Sequence, residues 1–331
     1  MEKVLIWGDE TRYRRDLPDF LGELELQPIF CPRSTPITTL LPQHSDASYL
    51  FVDAITPVTD QLMQALPNLK LIHSEGVAYN AIDLEAARKR GIFVCNCKGC
   101  NAAPTAEMAV MLMLMSLRFG IPGDRAVREG RQIQFKEGIM ASGSPELGER
   151  TVGLVGFGDI AQAVARRLGP FGCKVCYYAP HRRPQALEEE LGVAYLPLEE
   201  LFASCDLISL HCAVTPETRG MVNDDLLSRV QPGTILINTA RGALVDEEAL
   251  AQALRGGKLK YACLDVTDPE PPAADSPLRG IPNCIMTPHL AGLANNGKLK
   301  IGAHVADEIG RFLTGGTLVS EITQAMLATI A

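Results

Sequence analysis

A chain of 331 residues with 47% apolar and 21% charged side chains has room for two packed domains, and it is neither disordered nor low in complexity. Its net charge of −8 comes without any sizeable run of Lys or Arg, so no nucleic-acid partner is expected. The longest apolar stretch, residues 109–117, falls short of the ~20 residues that cross a bilayer, and no membrane partner is expected either.

In chain order, short apolar runs bounded by polar or turn residues predict strands at residues 4–7, 48–52, 69–73 and 92–95. Helical patterns lie between them at 60–66 and 84–89. Such alternation implies a parallel sheet covered by helices. A long helix is predicted over 103–119, and residues 120–148, rich in glycine and charge, are predicted to contain loop. A second series then offers strands at 152–155, 174–178, 207–211, 234–238, 262–265 and 284–286, with helices at 160–168, 199–203 and 247–254. That is the content of a doubly wound nucleotide domain. A last helix over 295–312 is expected to return to the first domain. The predicted architecture is α/β in two domains. Residues 1–100 and 290–331 form a smaller flavodoxin-like substrate and catalytic domain, and residues 101–289 form a Rossmann-type dinucleotide-binding domain with a doubly wound parallel sheet.

Ten cysteines are expected to be free thiols, as in a cytoplasmic protein. Cys95, Cys97, Cys100, Cys173 and Cys176 raise the question of a metal. A structural zinc needs four ligands in paired knuckles, whereas residues 173–178 alternate like a strand, so no metal is expected and most thiols read as small core residues.

The phosphate-binding signal is Gly156-Phe157-Gly158-Asp159-Ile160-Ala161, preceded by a buried strand and followed by an apolar-periodic helix. The first glycine permits a tight turn, the second lets backbone approach a pyrophosphate, and the small third residue lets helix and strand pack. The helix start offers free N–H groups and a positive dipole end. A carboxylate that would hold the ribose 2′-OH of NAD is missing from the tip of the next strand, where Ala179-Pro180-His181-Arg182-Arg183 follows. Guanidinium groups suit a 2′-phosphate, so NADP is expected over NAD.

Three polar groups sit at or just beyond strand ends where ligands of open α/β sheets bind: Arg241, the pair Asp265 and Glu270, and His289. Arg241 can pair with a carboxylate and polarise a carbonyl. His289 can deliver or accept a proton, and Glu270 can orient its ring and favour the imidazolium. Such a set fits hydride exchange between a 2-oxo acid and a 2-hydroxy acid.

The motifs Asn238-Thr-Ala-Arg-Gly242, Asp265-Val-x-x-x-Glu-Pro271 and Thr287-Pro-His-x-Ala-Gly292 resemble the D-isomer-specific 2-hydroxyacid dehydrogenase family. The resemblance runs from about Leu69 to Phe312 and takes in residues 207–218 and Gly76-Val-Ala-Tyr-Asn-Ala-Ile-Asp83. It implies Arg241, Glu270 and His289 as catalytic residues. It also implies substrate-carboxylate binding by Arg241 and by the backbone N–H groups of Val77 and Ala78, with Asp265 beside the nicotinamide. Motifs and resemblance together assign cofactor contacts to Thr105, Gly156, Phe157, Gly158, Asp159, Ile160, His181, Arg182, Cys212, Ala213, Thr218, Thr239, Ala240, Asp265, His289 and Gly292. A homodimer on the nucleotide domain is implied as well, with the apolar helix at 109–117 a candidate participant. Phosphite or formate oxidation, and a nucleotide-sensing corepressor-like scaffold, are the alternatives on the same fold. Ala78, Glu75, Met108, Ala213 and Asn295-Asn296-Gly297 depart from the usual pattern, which leaves the identity of the acid open.

Overall fold

A computed structural model describes residues 1–8, 17–32, 34, 36–53, 56–79 and 81–323. Asn80 of the Gly76–Asp83 motif, and residues 324–331 assigned above to the first domain, lie outside the described residues. The chain divides into two compact units: Met1–Asn101 with the segment returning at Ala294, and Ala102–Leu293.

In the first unit, strands β1 (Lys3–Gly8), β2 (Gln27–Pro32), β3 (Tyr49–Val52), β4 (Leu71–Ser74) and β5 (Phe93–Cys95) form a parallel sheet. Its order is β2-β1-β3-β4-β5 among the described residues. Both faces are buried, which explains the continuous apolar runs. Leu5, Trp7, Leu50, Val52, Ile72 and Val94 point to one side. There they meet Leu62 and Met63 of α3 (Asp60–Ala65) and Ala86 and Ala87 of α4 (Leu84–Lys89). Val4, Ile6, Tyr49, Phe51 and Leu71 point to the other, against Leu17 and Leu21 of α1 (Leu17–Gly22) and Val305 and Ile309 of the C-terminal helix Gly297–Leu313. The helix predicted to return therefore completes this core. Strand β2, with Pro28 and Pro32, was not predicted. It is an edge strand paired on one side only, the place in a sheet where proline is tolerated. Helices α1 and α2 (Ile37–His44) were not predicted either.

The second unit opens with α5 (Ala102–Leu117), α6 (Gly120–Arg128) and α7 (Gln132–Ser142). The loop expected after residue 120 is thus mostly helix. The charges that suggested loop include an i,i+4 ion pair, Arg128 to Asp124 at 2.8 Å, and Gly130, at φ 72°, separates two helices instead of ending order. Helix α5 packs Ala106, Ala109, Leu112, Met113 and Leu117 into the core, so core burial accounts for its apolar character. Met111 of α5 is exposed, and further exposed apolar residues follow in α6 and α7: Ile121, Val127, Ile133 and Met140.

Strands β6 (Thr151–Val155), β7 (Lys174–Tyr178), β8 (Val193–Tyr195), β9 (Leu207–Leu210), β10 (Thr234–Asn238), β11 (Leu259–Leu264) and β12 (Cys284–Met286) make the second parallel sheet. Its order is β12-β11-β10-β9-β6-β7-β8. Helices α5 and α8 (Asp159–Leu168) cover one face. The other face carries α10 (Leu198–Ser204), α11 (Asp224–Arg229) and α12 (Glu247–Arg255), and α9 (Gln185–Leu191) precedes β8. The order reverses between β6 and β9, and this switch point opens a crevice at the carboxyl ends of the strands. All ten cysteines are free, five of them buried. Among the described residues no three ligands are grouped to hold a metal, and no single helix is long and apolar enough to cross a membrane.

Candidate active site

Strand β6 delivers the chain into the phosphate turn. Gly156 takes φ 88°, and its N–H donates to the Tyr178 carbonyl at 2.8 Å. A Cβ at this position would lie 2.7 Å from the backbone nitrogen of Cys212, so the turn also depends on close approach to the loop after β9. Gly158 is extended, φ −86° and ψ −165°, and caps α8 with no side-chain bond. A Cβ added there meets nothing within 4 Å. An uncapped helix start beside empty space fits a pyrophosphate. Asp159 and Ile160 supply the first N–H groups of that helix. Phe157 differs from the other turn residues: its side chain is 1% exposed and stacks on Tyr177 at 4.1 Å between ring centroids, leaving only its backbone to face a ligand.

Arg182 has another partner than the one expected of it. Its guanidinium forks onto Glu188, Nε to Oε1 at 2.9 Å and NH2 to Oε2 at 2.7 Å. Glu188 also accepts the Tyr177 hydroxyl at 2.7 Å. Arg182 and Tyr177 together pull the Glu188 carboxyl down to about 2. Arg182 is thus committed within its own segment, and Arg183 is the guanidinium beside the turn, its Nε donating to the Phe157 carbonyl at 3.2 Å. His181 is exposed. Nothing in the residue pattern marked Glu188, which neutralises Arg182 from one helix turn inside α9.

The other predicted cofactor residues and their neighbours have mixed surroundings. Thr105 and Thr239 are buried with hydroxyls that have no partner among the described residues. His211, after β9, also lacks a partner at Nε2, and burial pushes it down to about 4. Burial pushes the neighbouring Cys212 thiol up to about 12. Thr218 spends its hydroxyl on the Ala213 carbonyl at 2.7 Å, inside a turn closed by Thr215 Oγ1 accepting the Thr218 N–H.

The catalytic candidates come together in one unit. Strand β10 ends at Asn238, fully buried, whose side chain folds the next residues back on themselves. Its Oδ1 accepts the Ala240 N–H at 3.0 Å, and its Nδ2 donates to the Arg241 carbonyl at 2.8 Å. Arg241 then rests its NH1 on the Ala240 carbonyl at 2.6 Å. Burial lowers the pKa of its guanidinium and nearby Glu270 opposes that shift. His289 Nδ1 lies 3.1 and 3.0 Å from the two Glu270 oxygens, both side chains about half exposed. Glu270 thus faces the His289 ring and acts on Arg241. The segments that carry Arg241 and Glu270 touch at Gly242, where a Cβ would sit 2.0 Å from the Thr267 carbonyl carbon.

Asp265, expected beside the nicotinamide, spends its carboxylate on protein groups. It is 0% exposed, and its carboxylate is turned into the histidine loop. Oδ1 accepts the Thr287 hydroxyl at 2.6 Å and the Leu290 N–H at 2.9 Å, and Oδ2 accepts the Ala291 N–H at 2.7 Å. Its carbonyl accepts the His289 N–H at 3.0 Å. His289 has φ 54°, a left-handed conformation costing about 1 kcal/mol for a residue with a Cβ. Charge-assisted bonds at about 1.5–3 kcal/mol each outweigh that cost. Gly292 continues the same turn.

Val77 and Ala78 belong to the other unit, in the loop after β4. Asn96 Nδ2 donates to the Val77 carbonyl at 2.7 Å, and the Ser74 hydroxyl to the Ala78 carbonyl at 2.6 Å, so the loop is held in one shape.

Comparison with known proteins identifies the family of the chain. A family model for the NAD-binding domain of D-isomer specific 2-hydroxyacid dehydrogenases matches residues 110–291. A glyoxylate reductase of Korarchaeum cryptofilum is 38% identical over 78% of this chain and 77% of its own. A D-3-phosphoglycerate dehydrogenase of Mycobacterium bovis is 38% identical over 83% of this chain; the chain spans about half of that protein, 51%. The crystal structure of the apo D-mandelate dehydrogenase of Rhodotorula graminis has a TM-score of 0.87 at 26% identity and covers 98% of each chain. The chain belongs to the D-isomer specific 2-hydroxyacid dehydrogenase family, nicotinamide-dependent oxidoreductases of small 2-hydroxy and 2-oxo acids.

Proposed function

We propose that this protein reduces small 2-oxo acids, glyoxylate and hydroxypyruvate first among them, with NADPH preferred to NADH, and gives the D-isomer where the product is chiral. The observation that carries this reading is the shared carboxylate: Glu270 holds the His289 ring and acts on Arg241. The substrate range follows the glyoxylate and hydroxypyruvate reductases among its relatives.

When bound, the nicotinamide supplies the hydride chemistry. Arg241 pairs with the substrate carboxylate and polarises the 2-oxo group. The backbone N–H groups of Val77 and Ala78 take the carboxylate's remaining lone pairs. With Nδ1 turned to Glu270, Nε2 of His289 is the nitrogen left to give its proton to the oxygen of the reduced carbon; in the oxidative direction it takes that proton back. Glu270 keeps the ring in place through both states. Asn238 and Asp265 fix the loops of Arg241 and His289 from beneath. The turn at Gly156–Ile160 holds the pyrophosphate, and Thr105, Cys212, Ala213, Thr218, Thr239, Ala240 and Gly292 surround the rest of the nucleotide. Arg183, with His181, meets the 2′-phosphate.

The active form is a homodimer joined through α6 and α7, whose Ile121, Val127, Ile133 and Met140 are exposed. On size exclusion it should elute at about twice the 35.8 kDa of the chain.

The test is initial rates with glyoxylate, hydroxypyruvate, pyruvate and phenylglyoxylate, each with NADPH and NADH, and with phosphite and formate in the oxidative direction. Turnover of glyoxylate or hydroxypyruvate with a higher kcat/KM for NADPH supports the reading. Arg183→Ala should lower kcat/KM for NADPH by about tenfold, the loss of a charge-assisted contact, and spare NADH. Turnover of no 2-oxo acid overturns the reaction, and a preference for NADH overturns the cofactor assignment.

A further inference from the structure

Behind the Val77–Ala78 loop lies a pair of thiols that the reaction does not use. Residues 97–100 read Cys-Lys-Gly-Cys and form a tight turn. The Cys100 N–H donates to the Cys97 carbonyl at 3.2 Å, and Gly99 has φ 79° at the turn's third position, the pattern of a type II turn. Such a turn keeps its end Cα atoms within about 7 Å, and a disulfide needs roughly 4.4–6.8 Å. The turn thus brings the two side chains within reach of one another.

The two sulfurs are unequal. Cys97 is 1% exposed, whereas Cys100 is partly open. Interaction with Cys97, and then the charges of His304 and Lys300 on the C-terminal helix, lower the pKa of the Cys100 thiol. The same interaction, with burial, pushes Cys97 up. A partly open sulfur of lowered pKa beside a buried thiol is the arrangement of an attacking and a resolving cysteine. A metal does not account for the pair, because no three ligands are grouped among the described residues.

Cys97 is also tied to the loop of Val77 and Ala78. Its N–H donates to the Gly76 carbonyl at 2.9 Å, and its thiol to the Ser74 carbonyl at 3.6 Å. Asn96, one residue before it, holds the Val77 carbonyl. Oxidation of Cys97 removes the donor to Ser74 and draws its side chain toward Cys100.

We propose that Cys97 and Cys100 form a reversible dithiol–disulfide site whose oxidation loosens the Ser74–Ala78 loop. The oxidant is a hydroperoxide. The Cys100 thiolate attacks the outer oxygen, the O–O bond breaks, and an alcohol or water leaves with Cys100 as the sulfenic acid. Cys97 sulfur then displaces hydroxide, which departs as water with the Cys97 proton. Two thiols and one hydroperoxide give one disulfide, one alcohol and one water, and a thiol reductant reverses the change. The expected effect on substrate rests on the carboxylate-binding role proposed above for Val77 and Ala78.

The full chain is treated with hydrogen peroxide, its remaining thiols are alkylated, and its peptides are mapped by mass spectrometry. The expected result is a 97–100 disulfide, lighter than the dithiol by two hydrogens and lost on adding dithiothreitol. Cys97→Ser should stop at a dimedone-trapped sulfenic acid on Cys100, and Cys100→Ser should give no product on Cys97. Alkylation of both thiols after peroxide, in protein that melts normally, overturns the site. The oxidised wild type should show a several-fold higher KM for the 2-oxo acid, with kcat changed less and full recovery on reduction. A disulfide that forms without moving KM overturns the coupling to the loop. If the reduced protein turns over no 2-oxo acid, the enzyme reading fails on its own, and the peptide map still decides the thiol chemistry.

Discussion

Replacing Gly242 by alanine adds one methyl group where there is no room for it. The new Cβ falls 2.0 Å from the carbonyl carbon of Thr267, 2.3 Å from its oxygen and 2.5 Å from the nitrogen of Asp268. These are backbone atoms, so no side chain can swing aside. An ordinary carbon–carbon contact is about 3.5 Å, which obliges one segment to retreat by ~1.5 Å. Overpacking of this kind costs about 1–3 kcal/mol, enough to lower Tm by roughly 3–10 °C in a unit of this size. The catalytic cost is larger. Gly242 follows Arg241, and residues 267–268 lead into Glu270, so the retreat separates two members of the proposed active site. Misplacement by ~1 Å can cost about 100-fold in rate. We therefore expect kcat/KM for glyoxylate to fall about 100-fold in Gly242→Ala while nucleotide affinity, measured by fluorescence titration, is retained. Gly280→Ala, where a Cβ meets nothing within 4 Å, is the matched control and should behave as wild type. A Gly242→Ala enzyme with wild-type kcat/KM, or one whose whole loss lies in nucleotide affinity, refutes the reasoning.

Three further outcomes follow from the same geometry. His289→Gln should reduce kcat by about 10²–10⁴-fold, the range for loss of a general acid, and Glu270→Gln by less; stopped-flow single turnovers check that the loss lies in the chemical step, and an unchanged kcat in His289→Gln removes it from the mechanism. Gly158→Ala should leave Tm unchanged, because its Cβ enters open space, yet raise the nucleotide Kd; an unaltered Kd argues against pyrophosphate at this turn. Glu188→Gln bears on stability against pH. The folded-state value of about 2 lies below the ordinary 4.5, so the carboxylate's contribution is complete above pH 4.5 and is lost as pH falls toward 2. Wild type should therefore melt above the variant at neutral pH, with the gap closing on acidification; a gap independent of pH would point to packing instead of the Arg182 pair.

The parts of this protein that sequence makes legible are those whose cause is local. The turn at Gly156–Ala161 announces itself because strand, glycines and helix are consecutive, and Arg241, Glu270 and His289 each follow soon after an apolar strand. Strands β2 and β8 were hidden for a physical reason: both sit at sheet edges, where prolines are tolerated and three residues suffice. Helices α6 and α7 were hidden because their glycines and charges resemble loop until the i,i+4 pairing is seen. Contacts between distant segments left no signal at all. Nothing in the composition around Gly242 tells that residues 267–268 press on it. Nothing near Asp265 tells that its carboxylate bonds the histidine loop 22–26 residues on, and the commitment of Arg182 to Glu188 depends on where α9 begins.

The return of the chain to its first unit has a consequence for synthesis on the ribosome. The second unit is one uninterrupted stretch, Ala102–Leu293, and has all its own strands once it has emerged. The first unit has its five strands by Cys95 but waits for Val305 and Ile309 to cover Val4, Ile6, Tyr49 and Phe51. At about 5–20 residues per second, that apolar face of the nascent chain has only α1 to cover it for roughly 10–40 s, the interval in which a holding chaperone has something to bind.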